Sequence, residues 1–184
     1  MGNTKSLEKT KTVDLVLIAA GAALITICSW ISIPTAVPFT LQTFAVFASL
    51  LILGGERGTM SSVIYVIMGA VGIPVFSGFK GGVGVLFGKT GGYILGFILT
   101  GLIYMLATKL FGEKHLVEII ALIAGLAVCY AFGTLWFQFI YMRETGSIGI
   151  LSVLSLCVFP FIIPDMIKLA LAFAISRRVR PLIR

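Results

Sequence analysis

The chain has 184 residues, 59% of them hydrophobic and only 11% charged, with a mean hydropathy of +1.11. A soluble domain cannot hide that much apolar surface, whereas several spans of about 20 apolar residues account for nearly all of it. The composition therefore predicts an all-α integral membrane protein, folded as one compact bundle in a single domain over 1–184. The net charge of +7 does not point to nucleic acid, because the bases lie between apolar runs and at the ends, as in loops that face the cytoplasm.

The segment 1–12 is polar, with Lys5, Lys9 and Lys11 against Glu8, and is expected in the cytoplasm. Met1 to Ser6 fit a myristoylation pattern, read as a chance match because a lipid adds little to a chain with several spans. A first span is predicted from about Val13 to Ile33; it is longer than a signal-peptide core and lacks a clear small-residue cleavage site after it. Within it Ala19 and Ala23 share one helix face, where small side chains let another helix approach closely in lipid. That face serves either internal packing or a partner.

Pro34 and Pro38 then impose an extended path. Leu41, Gln42 and Thr43 open a short second span to about Leu53, so Thr40, Gln42 and Thr43 offer hydrogen-bonding groups at a membrane mouth beside Phe39. Gly54 to Gly58 reads as a tight turn and a third span runs from about Met60 to Pro74. Both spans are short enough to require tilting or bilayer adjustment.

Phe76 to Tyr93 is the most glycine-rich stretch, and such an irregular loop can fold inward and present backbone amides to a ligand, or can simply be a tight connection. Gly88-Lys89-Thr90 is not a P-loop, because Val83 stands where that motif needs its first glycine. Gly82-Val83-Gly84 is not a dinucleotide fingerprint either, since the third glycine falls one place late and no βαβ pattern surrounds it.

A fourth span is predicted from about Tyr93 to Leu110, followed by a polar link with Lys109, Glu113, Lys114 and the single His115. No second histidine or cysteine stands at ligand spacing, so His115 reads as a solvated loop residue and no metal is expected. A fifth span runs from about Leu116 to Tyr141, with Trp136 and Tyr141 suited to an interfacial belt, and Arg143 to Ser147 form an exposed turn. Cys28, Cys129 and Cys157 each lie in apolar runs and read as small core residues.

Ile148 to Ser176 is too long for one simple span. Pro160 and Pro164 divide it into a short helix to Phe159 and a sixth span from Pro164, with a basic tail at 177–184. Asp165 and Lys168, three apart, share a face just inside that last helix. An ionisable residue deep in a bilayer costs roughly 2.5 to 3.5 kcal/mol, so this pair marks either a site or an ion pair that locks the helix to its neighbours.

Six spans with both termini cytoplasmic put Lys5, Lys9, Lys11, Arg57, Lys109, Lys114, Arg177, Arg178, Arg180 and Arg184 inside and only Lys80, Lys89 and Arg143 outside. The proline segment, the glycine loop and the Asp165/Lys168 turn then converge on the outer face, as a binding pocket requires.

Val37-Pro38-Phe39-Thr40-Leu41-Gln42-Thr43, Gly72 to Phe76, Gly81-Gly82-Val83-Gly84, Thr90-Gly91-Gly92-Tyr93 and Pro164-Asp165 with Lys168 together resemble the BioY family, the biotin-specific substrate-binding (S) components of energy-coupling factor (ECF) vitamin transporters. The chain departs from the family's pattern at Phe79, where another glycine is typical, at Lys80, where a small or polar residue is typical, and at Lys89, often a proline. The resemblance implies capture of biotin from outside a prokaryotic plasma membrane, with biotin as cargo rather than cofactor, and with Asp165 and Lys168 touching the ligand. An Asp can accept the ureido N–H groups and a Lys can donate to the ureido carbonyl or the carboxylate. Lys80 or loop amides would meet the other end. Phe39, Phe79 and Tyr93 are the expected apolar walls, and Gln42, Thr43 and Thr90 the expected hydrogen-bonding groups. In the family the Ala19 and Ala23 positions dock the S component onto a transmembrane coupling (T) component, which works with two cytoplasmic ATPases, and the S component topples in the membrane to release its vitamin.

Other classes fare worse. For an enzyme, no catalytic residue is identified: there is no nucleophile and base at a recognisable spacing and no second carboxylate facing Asp165. A proton-coupled carrier would use Asp165 as its relay and need no partner. An S component for a different small vitamin would share the fold and differ in its pocket.

Overall fold

The structure, a computed structural model, describes residues 2–35 and 37–183, with side chains from Lys11 onward. The side chains of Lys5 and Lys9, and all of Met1, Ala36 and Arg184, lie outside the described residues. The chain is mostly helical. Four stretches are long and apolar enough to cross a membrane, Lys11–Trp30, Gly91–Phe111, His115–Glu144 and Ile150–Ile183, and Gln42–Leu53 is a shorter apolar helix.

Helix α1 spans Gly2–Trp30, so helical structure begins well before the apolar run that predicted it at Val13. The proline segment that follows adds a small sheet to an otherwise helical fold: β1 (Ser32–Ile33) pairs antiparallel with β2 (Phe39–Thr40), Ser32 opposite Thr40 and Ile33 opposite Phe39. Pro34 and Pro38 lie between the two strands, where no ladder N–H is needed.

Helix α2 (Gln42–Leu53) is buried along nearly its whole length, apart from Phe44. It is apolar on every side, as a helix enclosed by others must be. It packs on α1, on α3 (Gly55–Ala70) and on α8 (Phe159–Ile183). The expected five-residue turn between α2 and α3 collapses to Gly54 alone, whose φ of 90° is open to glycine and strained for other residues, and α3 begins at once with Gly55.

After α3, a single helical turn α4 (Val83–Leu86) interrupts the glycine loop before α5 (Gly91–Phe111) and α6 (His115–Glu144) form the most extensive helix pair. Small residues let these two backbones touch. A Cβ on Gly125 would meet the Thr100 backbone, and the Thr100 hydroxyl donates to the Gly125 carbonyl at 3.0 Å. His115 opens α6 rather than lying in a loop, and its ring meets Phe173 edge-on. Arg143 and Glu144 still belong to α6, so the exposed turn starts later than predicted.

The last apolar run divides between α7 (Ile150–Cys157) and α8, but not where the prolines predicted. The break falls at Val158 (φ −125°, ψ −58°), just before the residue that precedes Pro160, where helical geometry is disfavoured. Pro160 occupies the first turn of α8, where a missing N–H costs nothing, and Pro164 lies inside the helix. Asp165 and Lys168 therefore lie in the second and third turns of α8 rather than in its first turn and a half.

At the end of α2 away from the hairpin, ion pairs cross between helices. Asp14 meets Arg57 at 2.6 Å, Glu56 meets Lys109 at 2.6 Å, and Arg180 meets both Glu113 and Glu118, the latter at 2.5 Å. Glu118 is 1% exposed and also accepts from the Tyr104 hydroxyl at 3.3 Å, so its charge is paired and hydrogen-bonded, as burial demands.

Candidate functional site

At the opposite end, the hairpin, the glycine loop and helices α5, α6, α7 and α8 enclose a cavity of about 520 Å³, a volume suited to a small molecule. Its floor carries the charged pair. Asp165 and Lys168 are 2% and 5% exposed, with the Lys168 ammonium 2.8 Å from Asp165 Oδ1. The ammonium also donates to the Thr40 carbonyl at 2.7 Å and lies over the Phe39 ring, 4.4 Å from its centroid. The short hairpin thus brings a backbone acceptor and an aromatic face to a buried cation, and both lower the cost of burying it.

The second Asp165 oxygen accepts from the Tyr130 hydroxyl at 2.5 Å. Both carboxylate oxygens are thereby held from two helices, and the carboxylate is fixed in orientation. Gln42, the first residue of α2, donates through Nε2 to the Tyr65 hydroxyl at 2.8 Å, and Tyr65 is braced edge-on by Phe76. The Tyr93 hydroxyl pairs with Thr134 at 3.1 Å. Phe97, Leu126 and Phe161 add apolar wall, and Phe161 stacks on Phe39 at 5.6 Å between ring centres.

Of the residues singled out in the sequence, Asp165, Lys168, Gln42, Thr43, Lys80, Thr90 and Tyr93 line the cavity. Phe39 sits beside it against Lys168 and Phe161. Phe79 is not brought there. It is 65% exposed, takes a left-handed φ of 57° and stacks on Trp30 at 5.0 Å, outside the cavity. Turned outward by that backbone, its ring covers the end of α1 instead of a ligand. Ala19 and Ala23 are exposed on α1, where neither is consumed by internal packing.

Sequence reasoning missed Tyr130, Tyr65 and Glu144, of which Tyr130 and Glu144 line the cavity. Tyr130 stands in an apolar run where an aromatic reads as ordinary core, and only the packing of α6 near α8 reveals its partner. Trp136, expected in an interfacial belt, donates its indole N–H to the Gly88 carbonyl at 3.0 Å and pins the glycine loop to α6. Near it Lys89 lies 3.1 Å from Glu144 and over the Tyr141 ring at 4.9 Å.

The arrangement offers donors and acceptors for a polar ring at its floor, apolar walls above, and cationic side chains at its mouth. Among the described residues no group of three or more His, Cys, Asp or Glu could hold a metal ion.

A sequence model of the BioY family matches residues 3–184. The "Biotin transporter BioY" of Thermotoga maritima is 43% identical over 172 residues, covering 90% of this chain and 96% of that protein. The "Probable biotin transporter BioY" of Pyrococcus horikoshii is 36% identical over 92% of this chain and 98% of its own length. Among solved structures, the S-component for biotin from an ECF-type ABC transporter matches with a TM-score of 0.81 at 26% identity, covering 98% of this chain and 95% of that one.

Proposed function

The chain belongs to the BioY family, and from that membership we propose that it captures biotin as the substrate-binding component of an ECF vitamin transporter. The observation that carries the reading is the cavity floor, where Asp165, held by Tyr130 and Lys168, stands ready to accept ureido N–H groups in a site walled by aromatic rings. Lys168 supplies the complementary donor, and Gln42, Thr43, Thr90 and Tyr93 supply the remaining polar contacts. The walls cover the thioether bicycle, which favours burial because it is apolar.

In this reading α1, α2, α3, α5, α6 and α8 are six spans, with both termini in the cytoplasm and the cavity facing outward. The distribution of Lys and Arg supports that orientation. At about 18 Å, α2 is too short to cross the roughly 30 Å hydrocarbon layer by itself, so its burial among other helices is what makes a short span tolerable. The protein is a prokaryotic plasma-membrane component and not an enzyme. Energy for uptake comes from two partner ATPases through a T component, to which the exposed Ala19 and Ala23 face of α1 docks.

The test is calorimetric titration of the detergent-solubilised protein with biotin, with thiamine and riboflavin as controls. Tight, saturable binding of biotin alone is expected. Absence of biotin binding, or preference for another vitamin, overturns the reading.

A further inference from the structure

Two cationic side chains of the cavity, Lys80 and Lys89, stand at its mouth, and they differ in their company. Lys80 is exposed and has no carboxylate within ion-pair distance among the described residues. Lys89 is 3.1 Å from Glu144, which also lines the cavity. The floor has a different balance. There Lys168 is already engaged by Asp165 and the Thr40 carbonyl, and a second carboxylate brought beside Asp165 would meet like-charge repulsion at low dielectric. A ligand that carries a polar ring and a carboxylate therefore places its anion at the mouth, where the local charge is net positive.

Glu144 is suited to give way. It is the last residue of α6, at the negative end of the helix dipole, and its side chain is 55% exposed. The pair is solvent-accessible, the kind of ion pair whose strength is small. Lys89 is anchored independently of it, because Trp136 holds the neighbouring Gly88 carbonyl and the Tyr141 ring lies under the ammonium. The cation thus stays in place when its partner is exchanged.

We propose that Lys89 is the counter-ion for the ligand's carboxylate and that Glu144 competes for it, so that this pair sets the preference for the free acid over uncharged forms of the same ligand. The inference rests on biotin as the ligand and adds to that reading a counter-ion at the mouth, Lys89, and a residue that tempers affinity, Glu144.

The experiment compares biotin with biotin amide by calorimetry on the purified full chain, as wild type, Lys89→Met, Glu144→Gln and the double variant. The readout is the ratio of acid to amide affinity, and amide binding reports whether each variant is folded. Lys89→Met is expected to lower the ratio roughly tenfold, the lower end for a hydrogen bond to a charged group. Glu144→Gln is expected to raise it by roughly threefold, and in the Lys89→Met background to do nothing, since no cation remains to compete for. An unchanged ratio in Lys89→Met, or an effect of Glu144→Gln that survives without Lys89, overturns the inference while leaving biotin as the ligand. Wild-type protein that binds neither compound overturns both.

Discussion

Tyr130 and Asp165 stand 35 residues apart and meet through a 2.5 Å hydrogen bond from the phenolic hydroxyl to carboxylate Oδ2. With Lys168 on Oδ1, the carboxylate cannot rotate without losing a donor. Tyr130 acts on a ligand through Asp165 and is a positioning residue. Tyr130→Phe keeps the ring and removes only the hydroxyl. Biotin affinity should fall because the carboxylate loses its fixed orientation, and the variant should also melt below wild type, since buried Asp165 loses a donor in the free protein at a cost of roughly 1.5 to 3 kcal/mol. Calorimetry with a melting curve separates the two; equal affinity would mean that Lys168 alone fixes the carboxylate.

Lys168→Met leaves Asp165 buried at 2% exposure with its cation gone. Loss of one partner of a buried pair costs roughly 3 to 5 kcal/mol, so the variant should melt well below wild type and bind no biotin. Adding Asp165→Asn should recover most of the stability and none of the binding. Recovered binding in the double variant would remove the pair from the ligand site.

Phe79→Ser tests an aromatic that the sequence predicted in the pocket and the structure turns outward, at 65% exposure. Biotin affinity should stay within about twofold of wild type, as for a surface position away from the site. A large loss would require the glycine loop to turn Phe79 inward when ligand binds.

Replacing Ala19 and Ala23 by Leu changes an exposed strip of α1 and no cavity residue. Biotin binding should persist, while co-purification with a T component and ATP-dependent uptake in proteoliposomes should be lost, because the added side chains hold the helices apart. Intact assembly would place the docking face elsewhere.

Arg180→Met strands Glu118, which is 1% exposed, at the end of the molecule away from the cavity. Stability should drop by about 3 kcal/mol. Because Arg180 does not line the cavity, biotin affinity of the folded fraction should not change, which a denaturation series run beside the titration can establish.

The long helices α1, α5, α6 and α8 and the short α2 were legible because each carries an apolar run bounded by charges, glycines or prolines, a pattern that only a bilayer or a core accepts. Boundaries were less so. Pro164 reads locally as a helix start, yet the break falls at Val158, because Pro160 already ends α7 and the proline at 164 is accommodated within α8. The positions of Gln42, Thr43, Thr90 and Tyr93 around one cavity followed from the family's motifs, since each lies where a loop enters a helix. Phe79 misled because an aromatic in a glycine loop is read for its ring, while its left-handed backbone decides which way the ring points.

Composition alone determined the solvent, since a soluble domain cannot hide this much apolar surface. Residue order marked Asp165 and Lys168, because charge within apolar sequence is costly wherever it folds. What only the tertiary structure decided is what those charges meet. The Thr40 carbonyl, 128 residues from the ammonium whose hydrogen bond it accepts, and the Tyr130 hydroxyl come from segments whose own sequences carry no sign of the partner. The physical reason is range: spacing reports neighbours along a helix, whereas a buried charge is satisfied by whichever donors and acceptors the packing of other helices brings within about 3 Å.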